Sequence, residues 1–199
     1  MEVYRYQQFP SHLATVHVAL FDNVTNADEL HARLIRASTL TGSEGETERE
    51  AVNFAFIDAR LIASIQHLKA AVYHAILAAT QGGLKTKSVH SEIIWTLNPT
   101  NNITEALRRY GVSASSSSLF VVRVDRPLDG LVERLSTIVH GTLVPLDSLK
   151  DMTNWDTIKK HYKLNDEPAI RNAAGDKDVE RRKIDRIVTS SVATKIVMG

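Results

Sequence analysis

Short apolar runs of strand length alternate along this chain with longer stretches of helical periodicity. Apolar residues recur at period two in TVHVALF, residues 15–21, and LFVVRV, residues 119–124, is a second run of strand character. Over residues 64–80 the apolar spacing changes to three and four, which is typical of a packed helix. The alternation predicts a mixed α/β fold, with residues 1–199 forming a single domain in which a small sheet is packed by several helices.

Two asparagines carry the spacing of helix start signals. Asn26 precedes Glu29 by three residues, and Asn102 precedes Glu105 by the same interval. In a capping box, each of these side chains satisfies a main-chain N–H that the helix leaves without a partner. The sequence therefore predicts a helix after each asparagine. Gly111 is predicted to close the second helix in the left-handed conformation.

A proline marks the end of another apolar run. Residues 91–97, SEIIWTL, place isoleucine and tryptophan side chains on alternating faces, so this run is predicted to be a strand. Pro99 cannot donate to a sheet and biases Asn98 away from the helical conformation. The strand is therefore expected to end at this corner, immediately before the helix that follows Asn102.

Two further segments complete the predicted organisation. Residues 41–50 are polar and acidic and contain two glycines, so they are predicted to form a mobile polar loop. Residues 178–199 carry apolar side chains along one broad side and are predicted to form a C-terminal helix and tail.

Charge and cysteine content limit the classes of partner and compartment. The formal net charge is only +1, so contact with RNA would need a local basic patch. Cysteine is absent, which excludes disulfides and cysteine-ligated metals and fits a reducing compartment. The first residues, MEVYRYQQFPSH, contain no apolar export segment, and the longest apolar-rich stretch is interrupted by polar residues. We expect a protein of the nucleus and cytoplasm, with no membrane partner.

The sequence offers no constellation of catalytic, metal-binding or cofactor-binding residues. Eight histidines occur without an HxxxH or HExxH motif, which favours histidines of the core or the surface over metal ligands. GGLKTKS, residues 82–88, has the composition of a phosphate loop but lacks the required spacing of glycine and lysine. No GxSxG elbow is present, and the carboxylates are scattered. We therefore expect no enzyme activity and no cofactor.

Three segments, in this order along the chain, resemble a known family. They are QFPSHLATVHVALFDNVTNADELHARL, NFAFIDARLIASIQHLKAAVYHAI and KTKSVHSEIIWTLNPTNNITEALRRYG. Together they are similar to the small kinase-binding subunit of the KEOPS complex, also called EKC, which is the family of the PRPK-binding protein (TPRKB). The similarity extends from Gln8 to the last helix, and the opening QFP and VALF patterns are similar to fungal members in particular. Residues 41–50 resemble an insertion relative to shorter relatives.

The resemblance implies a non-catalytic subunit. Members of the family bind the amino-terminal lobe of the atypical kinase/ATPase subunit of KEOPS and support its activity. They help to present tRNA through its single-stranded 3′ end, while another subunit makes N6-threonylcarbamoyladenosine (t6A). Fungal complexes of this kind are also linked to telomere maintenance and transcription. The implied partners are therefore the kinase subunit, the other KEOPS subunits and tRNA.

Two groups of residues are candidates for these contacts. The kinase-binding candidates form the apolar side of the last helix and tail, namely Ile184, Ile187, Val188, Val192, Ile196 and Val197. An ordinary core stripe explains the same pattern. The RNA-binding candidates are Lys85, Lys87, Arg108 and Arg109, for which a solvated surface is the alternative. Two rival functions also remain: a stand-alone RNA-binding module, and a small-molecule enzyme with a pocket near residues 98–102.

Overall fold

A computed structural model describes residues 1–126, 130–173 and 175–195. The strands in these residues are β1 (Glu2–Arg5), β2 (Thr15–Asp22), β3 (Ala55–Asp58), β4 (Leu119–Asp125) and β5 (Thr142–Val144). The α-helices are α1 (Ala27–Thr39), α2 (Gly42–Ala51), α3 (Ile65–Thr80), α4 (Val89–Leu97), α5 (Ile103–Tyr110), α6 (Leu131–Ile138), α7 (Trp155–His161), α8 (Pro168–Arg171) and α9 (Lys177–Thr194). Two short 3₁₀ helices span Ala59–Leu61 and Leu146–Asp151.

The chain divides into two compact units, of which the first contains the sheet. This unit comprises Met1–Asp58 and Gly111–Leu146. Its strands are antiparallel in the order β1-β2-β4-β3, and β5 also pairs with β2. Side chains of α1 and α6 join those of β2, β3 and β4 in one apolar cluster. The mixed α/β class, with a small sheet packed by helices, is confirmed.

The second unit is helical and comprises Ala59–Tyr110 and Asp147–Gly199. Within it, α3 packs against α4 and α9, and α4 packs against α5. The predicted start of α3 is confirmed, because Ser64 is its N-cap and accepts a hydrogen bond from the His67 N–H. The prediction that residues 1–199 form one domain stays a prediction.

The prediction of a strand at residues 91–97 is wrong, because this segment belongs to α4. Ser88 and Ser91 form a reciprocal capping box at the start of this helix. The residues from Glu92 to Leu97 are all buried, so the helix shows no polar face. A short helix that is covered on all sides has the same apolar pattern as a buried strand, which explains the error.

The prediction of a mobile loop at residues 41–50 is also wrong, because α2 covers this segment. The helix is held against α1 by side chains: Arg33 forms an ion pair with Glu48 at 2.6 Å, and the Arg49 guanidinium donates to the Leu40 carbonyl at 2.7 Å. At Gly45, a Cβ atom would lie 2.5 Å from the Leu40 carbonyl oxygen. The close approach of the two helices therefore requires glycine there.

The predicted helix termini need three further corrections. Asn26 makes no capping bond; its side chain instead donates to the Ile138 carbonyl at 3.0 Å and accepts from the His140 N–H at 2.9 Å. Gly111 does not take the left-handed conformation and instead forms an isolated antiparallel bridge with Ile57. The C-terminal helix begins at Lys177, and its described part ends at Thr194.

Candidate macromolecular interface

The corner between α4 and α5 is closed by its own hydrogen bonds. The Asn98 amide donates to the Thr100 hydroxyl at 2.8 Å, and that hydroxyl donates to the Glu105 carboxylate at 2.5 Å. The Glu105 N–H donates to the Asn102 side chain at 2.9 Å, so this asparagine caps α5 as predicted. The Glu105 carboxylate is engaged by Thr100 and Asn98, which means that the reciprocal half of the predicted capping box is replaced by these bonds.

Lys195 completes this corner from the end of α9. Its ammonium donates to the carbonyl oxygens of Trp95, Asn98 and Thr100 at 2.5, 2.7 and 3.1 Å. The nitrogen also lies 3.7 Å from the centroid of the Trp95 indole, in a cation–π contact. Burial lowers the pKa of Lys195 to about 8. Sequence reasoning missed this residue, because its partners lie about a hundred positions earlier in the chain.

A buried polar chain satisfies another carbonyl at the end of α4. The Tyr162 hydroxyl donates to the Leu97 carbonyl at 2.6 Å. The same hydroxyl lies 3.3 Å from Nε2 of His67, and Nδ1 of His67 accepts from the Ala63 N–H at 3.3 Å. The bond from Ala63 places the imidazole proton on Nε2. Burial lowers the pKa of His67 to about 3, so the imidazole is neutral.

Lys85 and Lys87 lie on a loop whose main chain is hydrogen-bonded to the buried carboxylate of Glu92. The main-chain N–H groups of Lys85 and Thr86 donate to the Glu92 carboxylate at 3.1 and 2.8 Å, and the Thr86 hydroxyl donates to it at 2.7 Å. Glu92 is only 1% exposed, whereas both lysine side chains are exposed. The KTKS motif therefore builds a rigid loop that presents two cations to solvent.

Arg108 and Arg109 lie in the last turn of α5 and differ in their surroundings. Arg109 forms an ion pair with Glu105 at 2.7 Å, while Arg108 is exposed. Within the described part of the chain, no hydrogen bond or ion pair joins these arginines to Lys85 or Lys87. The role of these four residues in RNA binding stays a prediction.

Much of the apolar side of α9 is buried in the core. Ile184, Val188 and Val192 are buried at 0, 0 and 1% exposure, and the first two pack with Ile158 and other side chains of the helical unit. Ile187 is partly buried against the same cluster. Ile196 and Val197 lie outside the described residues. The kinase-binding assignment of these positions stays a prediction, and the core accounts for the three that are buried.

Exposed apolar side chains occur instead on α5. Ile103 and Leu107 are separated by one turn of this helix and are 37 and 41% exposed. Arg108 is exposed beside Leu107, so α5 presents apolar and cationic groups together. The exposure of Ile103 and Leu107 depends on which side chains of the helical unit cover α5, and the sequence does not specify this.

Neither a metal site nor a membrane-spanning helix occurs in the part of the chain that the structure describes. No group of three histidine, cysteine, aspartate or glutamate side chains is arranged to hold a metal ion there. In the same residues, no helix has both the length and the apolar character needed to cross a bilayer.

The fold and these surfaces define a small mixed α/β protein with a rigid basic loop and an exposed apolar and cationic helix face. Residues 21–196 match the family model described as kinase binding protein CGI-121, and the chain belongs to this family. The chain is 33% identical to a protein of Cryptococcus neoformans var. neoformans serotype D, with all of both chains aligned. It is 35% identical to a Neurospora crassa protein, covering 90% of this chain and 91% of the relative. Both relatives are named EKC/KEOPS complex subunits, which confirms the predicted resemblance.

Proposed function

We propose that this chain is a non-catalytic subunit of an EKC/KEOPS complex that binds the atypical kinase/ATPase subunit and helps to recruit tRNA for t6A modification. The match to a kinase-binding family over residues 21–196 carries the proposal. We also propose that the protein is located in the nucleus and cytoplasm. By analogy with fungal complexes of this kind, it would contribute to telomere maintenance and transcription. An enzyme pocket at residues 98–102 is disfavoured, because Lys195 and the corner's own side chains engage the main-chain carbonyls of Asn98 and Thr100 and the Thr100 hydroxyl.

We assign the kinase contact to the face of α5 that contains Ile103 and Leu107, with the tail beyond Lys195 as the second candidate. Interfaces bury apolar anchors surrounded by polar groups, and α5 offers two such anchors beside Arg108. The buried side chains of α9 would have to leave the core to reach a partner, at a cost of several kcal/mol.

The kinase assignment predicts the result of a binding experiment with the full chain and its own kinase subunit. Leu107→Glu should weaken binding at least tenfold, because it places a carboxylate in a desolvated contact. Binding is measured by isothermal titration calorimetry. Ile35→Glu is the matched control, since Ile35 is an exposed apolar side chain of α1, in the sheet unit.

A tail deletion tests the second candidate separately. The deletion should begin at residue 196, because removing Lys195 as well would expose the carbonyl groups of the corner. If Leu107→Glu binds normally and the deletion abolishes binding, the contact belongs to the tail. If both variants bind the kinase as well as the unchanged chain, both assignments are wrong.

The RNA assignment predicts a change in the salt dependence of tRNA binding by the assembled complex. Replacing both Lys85 and Lys87 with glutamate should weaken binding and make the negative slope of log affinity against log salt shallower by about 2, one for each lost phosphate contact. Lys150→Glu with Arg182→Glu is the control, because it changes the charge equally at exposed positions elsewhere. An unchanged slope for the Lys85 and Lys87 variant would remove this loop from the RNA contact.

A further inference from the structure

A polar cavity of about 440 Å³ lies in the helical unit between α7 and α9. Its volume is in the range of small-ligand sites. The cationic side chains in its wall are Arg60, Lys159, Lys177 and Arg181. They face two carboxylates, Asp156 and Glu180, so the wall has an excess of two positive charges.

Both carboxylates contact the same one of the four cations, Lys159. The Lys159 ammonium lies 2.8 Å from Glu180 and 3.1 Å from Asp156, and these bonds raise its pKa. Lys177 and Arg181 are exposed, and neither has a carboxylate partner among the described residues. A ligand with two negative charges would balance the net charge of the wall.

An aromatic ring adds a second kind of contact. The Arg181 guanidinium lies 5.7 Å from the centroid of the Trp155 ring, and both side chains line the cavity. Indole rings and guanidinium planes are surfaces on which nucleobases stack. A phosphate monoester carries close to two negative charges at neutral pH. A nucleoside monophosphate combines this charge with a flat ring.

We propose that this cavity binds a nucleoside 5′-phosphate, with the phosphate at Lys177 and Arg181 and the base at Trp155. The ligand could be a free nucleotide or the 5′ end of an RNA chain, since both present this chemistry. The site is separate from the corner at residues 98–102 and from the exposed face of α5, so it does not depend on kinase binding.

Tryptophan fluorescence of the isolated full chain tests this site directly. The chain contains two tryptophans, and Trp95 is only 6% exposed, so quenching by a ligand in the cavity should report on Trp155. Adenosine monophosphate should quench the emission saturably, whereas adenosine should not at the same concentrations. Lys177→Glu and Arg181→Glu should each weaken binding about tenfold, as expected for a lost charge-assisted hydrogen bond. Arg182→Glu is the matched control, because it is exposed on the same helix and does not line the cavity.

Two oligonucleotides distinguish the source of the phosphate. Binding of a tetranucleotide with a 5′-phosphate, and not of its unphosphorylated form, assigns the site to an RNA end; binding of the mononucleotide alone assigns it to a free nucleotide. The inference is overturned if adenosine monophosphate gives no saturable quenching, if adenosine binds equally well, or if Arg182→Glu weakens binding as much as Arg181→Glu. Because kinase is absent from this assay, its failure would leave the proposed function intact.

Discussion

Replacing Lys195 with alanine is expected to lower the free energy of unfolding by about 3 kcal/mol. The substitution removes the donor for three carbonyl oxygens at the corner between α4 and α5. It also removes the cation–π contact with Trp95 and leaves a cavity where the buried stem lay. Urea unfolding followed by circular dichroism measures the loss.

Two other variants separate the sources of this stability. Lys195→Met keeps an apolar stem but provides no donor, so it should retain the packing and lose the hydrogen bonds, with a loss close to 2 kcal/mol. Lys183→Ala is the matched control on the same helix, because Lys183 donates to one carbonyl only, that of Ala169 at 3.0 Å. Its loss should be below about 1 kcal/mol. Equal losses for Lys183→Ala and Lys195→Ala would contradict the special role of Lys195.

Strands β2 and β4 of the sheet unit could be predicted because their local pattern agrees with their environment. In β2 and β4, β-branched and aromatic residues occupy short runs bounded by turn residues, and the central strands are buried on both faces. The start of α3 was equally local, since Ser64 caps a helix with clear apolar periodicity. These elements need no information from distant residues.

The errors arose where distant contacts decide the local structure. Asn26 has the spacing of a cap, but its side chain bonds to residues 138 and 140, more than a hundred positions away. The helix α2 depends on ion pairs and close packing with α1. Neighbours cover all sides of α4, which removes the polar face that would distinguish this helix from a buried strand. Secondary-structure propensity is weak compared with such tertiary terms.

The same reasoning explains how much of the candidate site could be foreseen. The exposure of Lys85 and Lys87 follows from the polar KTKS sequence. The hydrogen bonds from this loop to Glu92 could be recognised only in the folded structure. The apolar stripe of α9 was visible, but the sequence could not show whether core or partner covers it. Lys195 joins residues about a hundred positions apart, so no local pattern marks it.

Lowering the pH from 7 to 5 is expected to destabilise the protein by about 2 kcal/mol through His67 alone. The pKa of this imidazole is about 3 in the folded chain, compared with an ordinary value of 6.5. Between these values the unfolded chain binds more protons than the folded chain, so acid favours unfolding. Protonation would also place a hydrogen on Nδ1 of His67. This nitrogen accepts a hydrogen bond from the Ala63 N–H in the folded chain, so two donors would then face each other.

The contribution of His67 is isolated by comparing variants at pH 7 and pH 5 in urea unfolding. His67→Gln retains polar groups but does not titrate, so it should lose about 2 kcal/mol less than the unchanged chain over this interval. Burial also lowers the pKa of His17, His74 and His161, and their contributions remain in both proteins and cancel in the difference. The same pH dependence for His67→Gln and the unchanged protein would contradict this prediction. It would mean that the His67 imidazole takes up a proton as readily in the folded state as in the unfolded state. The buried hydrogen bonds that connect His67 to Tyr162 and Leu97 would then not keep it neutral.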